Sequence, residues 1–179
     1  MNALRILLIA LLAGSTTLNA QIGQSFPSIS GEILEGGNAT LPADYAGKLT
    51  LVGMGWTRKS EEALRAWVEP LYDKFVLKRG IFDKEYDVNL CLVAMYIGLK
   101  QTAYESTMKD LRETSRKDLF PYILFYKGPL EPYDSKLGLV DKSIPYFFLL
   151  DEEGKIVHAF SGAFSETKME KLEEALNHR

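Results

Sequence analysis

Two hydroxyl side chains, Thr57 and Ser60, lie three residues apart where an apolar strand pattern meets an amphipathic helix pattern. The local sequence is Gly-Met-Gly-Trp-Thr-Arg-Lys-Ser. A hydroxyl attacks as a nucleophile only when a neighbouring general base accepts its proton. The two histidines, His158 and His178, both lie far along the chain from this segment. A Ser-His-Asp arrangement using Ser60 is therefore poorly supported, and we predict no catalytic residue here.

The chain has one cysteine, Cys91, which lies within the apolar stretch 88–97. One cysteine cannot form an internal disulfide, and it excludes zinc or iron–sulfur sites built on cysteine clusters. An unpaired cysteine in an exported protein is either buried or reactive. Its apolar neighbours favour burial, where a thiol packs as a small hydrophobe. His158 lacks partner ligands in the sequence, so we expect no metal and no cofactor.

The first 20 residues have the pattern of a secretory leader. Arg5 provides the positive start, residues 6–12 are apolar, and Leu-Asn-Ala precedes Gln21 as a small-residue cleavage site. The apolar run is too short to cross a bilayer, although an uncleaved anchor remains the alternative. We predict a signal peptide at 1–20, one domain at 21–179, and export to the periplasm or the outside of the cell.

The charge of the chain excludes one class of partner. Loss of the leader removes one charged residue, Arg5, and changes the net charge from −3 to −4. A mildly acidic protein has no electrostatic reason to bind nucleic acid. No segment after the leader is long and apolar enough for a membrane span, so we expect no such span after cleavage. The expected partner is a protein or peptide in the cell envelope.

The remaining sequence alternates strand and helix patterns. Apolar runs predict strands at 49–54, 88–97, 145–151 and 155–160. Three-and-four spacing of apolar residues predicts helices at 60–77, at 101–117 and from Ser165 onward. Early alternation of strand and helix implies a parallel pair, and the Glu-Glu-Gly turn before Lys155 implies a late antiparallel hairpin. The result is a mixed sheet with helices on both faces.

Three local features give further predictions. Thr57 is a plausible N-cap, since its hydroxyl can accept a free amide of the first helical turn. Pro70 lies inside the first helix pattern and should kink or break that helix near Glu69. Residues 80–87 read as a linker, 119–126 as an extended segment, and 128–141 as a loop with two prolines.

Three pieces of the chain resemble the thioredoxin-like superfamily, and within it the exported thiol-disulfide oxidoreductase and peroxiredoxin-like branch. The first is Gly-Gln-Ser-Phe-Pro at 23–27 together with 41–48. The second is the strand, Trp and helix start at 49–60, and the third is Ser-Ile-Pro-Tyr from 143, followed by Asp-Glu-Glu-Gly-Lys. The resemblance implies an α/β fold, a thioredoxin-like three-layer α/β/α sandwich with a central mixed sheet.

The resemblance also implies a site whose chemistry is missing. That superfamily has Trp-Cys-x-x-Cys at the helix start, and here Thr57 and Ser60 stand at the two cysteine positions. Thiol-disulfide exchange needs thiolates, which a hydroxyl cannot replace at neutral pH. The family's cis-proline loop corresponds to Ile144-Pro145. The implied groove comprises Trp56, Thr57, Arg58, Lys59, Ser60, Ile144 and Pro145.

Three functional readings follow. The first is a non-catalytic protein that holds an extended segment of a partner in this groove, with Arg58 and Lys59 supplying positive charge at a helix N-terminus. The second is a single-cysteine thiol-disulfide oxidoreductase that acts through Cys91. The third rests on a general likeness to assembly proteins of the respiratory complexes, some of which have thioredoxin-like domains without the dithiol.

Overall fold

The computed structural model describes residues 18–77 and 86–178, which contain seven strands in one sheet and four α-helices. Residues 1–17 of the predicted leader and most of the predicted linker lie outside the described residues. The strands are β1 (Ile29–Ile33), β2 (Asn38–Leu41), β3 (Leu49–Gly55), β4 (Val88–Tyr96), β5 (Ile123–Lys127), β6 (Tyr146–Leu150) and β7 (Ile156–Ser161). The helices are α1 (Arg58–Leu71), α2 (Tyr104–Thr114), α3 (Glu131–Leu137) and α4 (Glu166–Asn177).

The strands follow the order β2-β1-β5-β4-β3-β6-β7 across the sheet. The β3–β4 and β4–β5 pairs are parallel, and the other neighbouring pairs are antiparallel. The predicted early parallel pair and late hairpin are both confirmed. Because β3 and β4 are central and covered on two sides, both of their faces are apolar, which is why they read as continuous hydrophobic runs.

Alternation along β4 divides the core into two layers. Cys91 and Val93 face a cluster that includes Tyr133 of α3, while Leu92 faces a cluster that includes Leu64 of α1. Side chains of α4 join α1 on its face of the sheet. The predicted three-layer α/β/α sandwich with a central mixed sheet is confirmed.

Two predicted irregular segments contain regular structure. The segment 119–126, predicted as extended, begins as a 3₁₀ turn at Lys117–Tyr122 and becomes β5 only afterwards. The segment 128–141, predicted as a loop, contains α3. Pro132 lies in the first turn of α3, where a missing N–H costs no intrahelical hydrogen bond, so its presence did not exclude a helix.

The prediction that Pro70 ends or kinks the first helix near Glu69 was wrong in position. α1 continues through Pro70 to Leu71 and then widens into a π turn at Tyr72–Val76. The amide of Tyr72 bonds to the carbonyl oxygens of Val68 and Glu69. The π turn follows the proline, and Tyr72 and Phe75 within it are buried.

Within the described residues, the helices are all too short or too polar to cross a bilayer.

Gly31 is the position where added volume should be least tolerated. A Cβ at Gly31 would lie 2.3 Å from the carbonyl oxygen of Phe125, a backbone atom of β5 that cannot rotate away. We expect Gly31→Ala to lower the free energy of unfolding by about 1–3 kcal/mol in urea titration. The control Ser30→Ala, at an exposed position in the same strand, should change it by less than about 0.5 kcal/mol. Equal stability of the two variants would contradict this packing.

Candidate functional site

The two halves of the predicted groove meet at one edge of the sheet. β3 and β6 are antiparallel neighbours, with Met54 opposite Tyr146. The chain therefore leaves β3 through Trp56 at the edge where Pro145 leads into β6. The indole of Trp56 stacks on the ring of Tyr146, with centroids 5.8 Å apart and planes 18° from parallel.

Thr57 and Ser60 form a reciprocal capping box at the start of α1. The amide of Ser60 donates to Oγ1 of Thr57 at 3.1 Å, and the amide of Thr57 donates to Oγ of Ser60 at 2.9 Å. The amide of Trp56 also donates to Oγ of Ser60, at 3.0 Å. Three backbone N–H groups at the helix start are thus satisfied by two side chains, which confirms Thr57 as the N-cap.

The same hydroxyls have no capacity left for catalysis. Oγ of Ser60 accepts two amides and donates to the carbonyl oxygen of Thr57 at 3.1 Å. Oγ1 of Thr57 accepts one amide and donates to the carbonyl oxygen of Lys142 at 2.7 Å. Ser60 is fully buried, and among the described residues the only side-chain atom within hydrogen-bond distance of its Oγ is Oγ1 of Thr57, 3.1 Å away. Neither oxygen has the general base that hydroxyl attack needs.

The bond from Thr57 to Lys142 attaches the loop before β6 to the start of α1. Within that loop, the amide of Ser143 donates to Oδ1 of Asp141 at 2.8 Å, and the amide of Asp141 donates to the Tyr146 hydroxyl at 2.8 Å. The Ser143 amide lowers the pKa of the Asp141 carboxyl, and the positive charge of Lys59 lowers it further. Two amides and one carbonyl of this loop are therefore bonded to side chains of the protein.

Ile144 follows a turn at 142–143 and leads through Pro145 into β6. Within the described residues its carbonyl oxygen accepts no hydrogen bond, and its side chain is half-buried against the core. This carbonyl could accept a hydrogen bond from the backbone of an extended segment.

The peptide bond between Ile144 and Pro145 is trans, so the expectation of a cis-proline at this position was wrong. The cis bond in the described residues joins Leu41 to Pro42. The loop from Asp141 to Pro145 is closed by its own hydrogen bonds and by Thr57, and the carbonyl of Pro145 accepts the amide of Gly162 at 2.9 Å. The trans bond is compatible with all of these contacts.

The seven predicted groove residues differ in exposure. Trp56, Ser60 and Pro145 are buried, and Trp56 is only 1% exposed. Its indole N–H has no hydrogen-bond partner among the described residues. The other four residues reach solvent. Thr57 and Ile144 are half-exposed, and Arg58 and Lys59 are exposed. Trp56 thus lies beneath the surface, which is formed by the four residues that reach solvent.

Two exposed apolar side chains flank this edge, and sequence reasoning missed both. Leu99 is 92% exposed and follows β4, the neighbour of β3 on one side. Val140 is 75% exposed and lies two residues before Lys142, on the β6 side. In the sequence, each is a single apolar residue in a polar connecting segment and does not continue the apolar spacing of a helix or a strand. This was the available signal that each is exposed. Such isolated residues are common on protein surfaces, so the signal was weak.

The charges at this edge are only partly neutralised. Arg58 pairs with Glu62 at 2.9 Å, and both side chains are largely exposed. Lys100 forms an ion pair with Glu61 and lies 4.5 Å from the centre of the Tyr96 ring. The edge retains Lys59 and Lys142 as exposed cations beside the positive end of the α1 dipole.

Cys91 lies away from this edge, in the middle of β4 opposite Val52. It is fully buried, and burial raises the pKa of its thiol to about 12. A hydrogen bond with Tyr45 acts in the opposite direction but does not offset the burial. The thiol is therefore protonated at neutral pH and shielded from solvent, which is the environment of a structural cysteine.

Among the described residues, no side chain is hydrogen-bonded to His158. His158 is half-buried on β7 opposite Leu149, and burial lowers its pKa. Within the described ranges, no three His, Cys, Asp or Glu side chains are grouped closely enough to hold a metal ion.

Compared with protein-family models and with curated proteins, the chain matches none. Solved structures do match. A thiol:disulfide interchange protein from Bacteroides sp. gives a TM-score of 0.57 at 17% identity, over 87% of this chain and 90% of that one. The thioredoxin domain of a thiol-disulfide oxidoreductase from Bacteroides vulgatus gives 0.54 at 16% identity, over 87% and 97%. The exposed lipoprotein thioredoxin of Streptococcus pneumoniae gives 0.54 at 17% identity, over 83% and 99%. The chain has the thioredoxin-like fold.

Removal of the Ser60 hydroxyl should be costly. In Ser60→Ala the amides of Trp56 and Thr57 lose their acceptor, and the site is too buried for water to replace it easily. We expect the free energy of unfolding to fall by about 1–3 kcal/mol in urea titration. Ser106→Ala is the matched control, since the Ser106 hydroxyl makes one exposed bond to its own helix start. A Ser60 variant as stable as this control would contradict the network.

Cys91 should resist alkylation in the folded protein. With a pKa of about 12, about one thiol in ten thousand is ionised at pH 8, and that fraction is also buried. Iodoacetamide should modify Cys91 only after urea unfolding, as followed by mass spectrometry. The unfolded thiol ionises near its ordinary pKa, so above that pKa wild type should lose stability with rising pH more steeply than Cys91→Ala. Fast labelling of native protein would overturn the buried assignment.

Proposed function

We propose that this protein is an exported, non-catalytic thioredoxin-like protein that binds an extended segment of a partner protein at the α1 edge. This surface is defined by Thr57, Arg58, Lys59 and Ile144, with Leu99 and Val140 at its flanks. The observation that carries the proposal is the reciprocal bonding of Thr57 and Ser60, which uses both hydroxyls to cap α1.

The absence of thiol chemistry at this edge follows from residue type. The three neighbours described above are named as thiol-disulfide or thioredoxin proteins. By resemblance, Thr57 and Ser60 stand where such proteins have reactive cysteines. Neither residue provides a leaving group or a nucleophile for disulfide exchange. A protein with this edge but without the thiols retains a surface for contacts with other molecules and cannot carry out disulfide exchange there.

The chemistry of the α1 edge indicates the kind of partner. Arg58 and Lys59 add positive charge to the N-terminal end of α1, which attracts carboxylates. Leu99 and Val140 offer exposed apolar contacts on either side. The open C=O of Ile144 can accept a hydrogen bond from an extended backbone. The partner segment is therefore extended, acidic at its centre and apolar towards its ends.

The alternative of a single-cysteine oxidoreductase acting through Cys91 has less support. An attacking thiol needs a substantial thiolate fraction and access to a disulfide. Cys91 is fully buried between apolar strands, and its pKa is raised. A mixed disulfide with a partner, lost in Cys91→Ala, would restore this alternative.

Export is part of the proposal and rests on residues 1–20. The positive start, the short apolar run and the Leu-Asn-Ala sequence before Gln21 are the features of a cleaved leader. One neighbour is named as an exposed lipoprotein, whereas this chain has no cysteine near the proposed cut. N-terminal sequencing of the exported protein should give Gln21 as the first residue.

Placing cysteines at positions 57 and 60 tests the non-catalytic assignment. Wild type should not accelerate insulin reduction by dithiothreitol. The Thr57→Cys/Ser60→Cys variant should form an internal disulfide, because the two oxygens it replaces are only 3.1 Å apart, and it should reduce insulin measurably. Ser106→Cys combined with Ser135→Cys, two exposed positions, is the matched control. Turnover by wild type would overturn the non-catalytic assignment.

Reversal of charge at the α1 edge tests the binding assignment. Immobilised wild-type protein should retain a defined partner from its own cell envelope, identified by mass. The Arg58→Glu/Lys59→Glu variant should lose most of this retention, and raised salt should weaken it in wild type. Lys109→Glu/Lys136→Glu makes the same charge change at exposed positions elsewhere. Equal retention by both double variants would reject the α1 edge as the binding surface.

A further inference from the structure

The core on the α1 face of the sheet is divided into two parts. Leu92 of β4 belongs to a cluster with Leu64 of α1, whereas Tyr96 of the same strand belongs to a cluster with Met108 of α2. Ala94 lies between them on the same face and is only half-buried. The middle of a central strand is therefore reachable from solvent, because α1 and α2 do not close over it.

The opening is a cleft of about 460 Å³ between α1 and α2. Its floor is apolar, formed by Leu92, Ala94 and Ile123, and its walls carry Val68 of α1 and Leu111 of α2. The volume falls in the range of small-molecule sites, which are mostly apolar with few polar groups. We refer to this space as the α1–α2 cleft.

One ridge of α1 supplies the charged rim of the α1–α2 cleft. Glu61, Arg65 and Glu69 are spaced by four residues and line the cleft together. Glu61 is bound by Lys100, and Glu69 is bound by Arg116 at 2.8 Å. Glu62, the third acid within reach of Arg65 along the helix, pairs with Arg58 at 2.9 Å. All three acids therefore already have other cations.

Arg65 remains as the unpaired charge of the rim. It is exposed, and among the described residues it has no carboxylate partner. A guanidinium at the mouth of an apolar space is suited to a planar carboxylate, which it can bind with two parallel hydrogen bonds.

We propose that the α1–α2 cleft binds a small amphipathic carboxylate. Its apolar chain lies over Ala94, and its carboxylate pairs with Arg65. This site is on the α1 face of the sheet, and none of its lining residues belongs to the set that defines the α1 edge. It is independent of the function proposed above, and the two can be tested separately.

Decanoate is a suitable probe, with decanol and decyltrimethylammonium as its neutral and cationic counterparts. Calorimetric titration of the purified protein below the micellar concentration should show saturable binding of decanoate. Arg65→Ala should weaken decanoate binding about fivefold and leave decanol binding unchanged. Lys109→Ala, which removes an exposed cation of α2 that does not line the cleft, is the matched control and should bind decanoate as wild type does.

Filling the cleft provides a second test. Ala94→Leu should abolish binding of both decanoate and decanol without lowering the urea midpoint, because the added atoms occupy empty space. Thr114→Trp, at an exposed cleft position on α2, gives the same test without a change in the sheet. The proposal is overturned if decanoate does not saturate, if decyltrimethylammonium binds as tightly, or if both filled variants bind decanoate like wild type.

Discussion

The hydrogen bonds of Thr57 and Ser60 hold the functional edge of this protein together. Their side chains cap the first turn of α1, and the Thr57 hydroxyl also binds the carbonyl of Lys142. The start of α1 is thereby fixed to the loop that leads into β6. Without these bonds three amides near the end of β3 would lack acceptors, which is costly in a buried place. The arrangement of Trp56, Tyr146 and Ile144 depends on this attachment.

The same hydrogen bonds give the amides at the start of α1 a structural role in place of a chemical one. A thiol at a helix start is valuable because the amides there stabilise its anion. Here the same amides bind neutral hydroxyls, so their hydrogen-bonding capacity stabilises the fold. The exposed cations Arg58 and Lys59 remain beside the helix end. Because the hydroxyls here are used in capping and the cations are exposed, we propose binding for this edge.

The α1 face of the sheet is only partly covered by helices. α1 and α2 each bury an apolar side against β4, but the two helices leave Ala94 partly uncovered. Across the opening, Lys100 and Arg116 hold the acids of α1. Among the residues that the structure describes, none pairs with Arg65 at the mouth of this apolar space. A gap lined by apolar side chains with a guanidinium at its entrance suits a small amphipathic carboxylate.

The sequence alone determined the strands β3, β4, β6 and β7, one early parallel pair, the late antiparallel hairpin and the N-cap role of Thr57, because these follow from local periodicity and side-chain hydrogen bonding. Residue type alone removed dithiol chemistry from Thr57 and Ser60. The tertiary structure decided the trans bond at Pro145, the burial of Trp56 and the exposure of Leu99 and Val140. The α1–α2 cleft was also absent from the sequence pattern. These features depend on how separate elements pack, and spacing along one chain carries no measure of the distance between two helices.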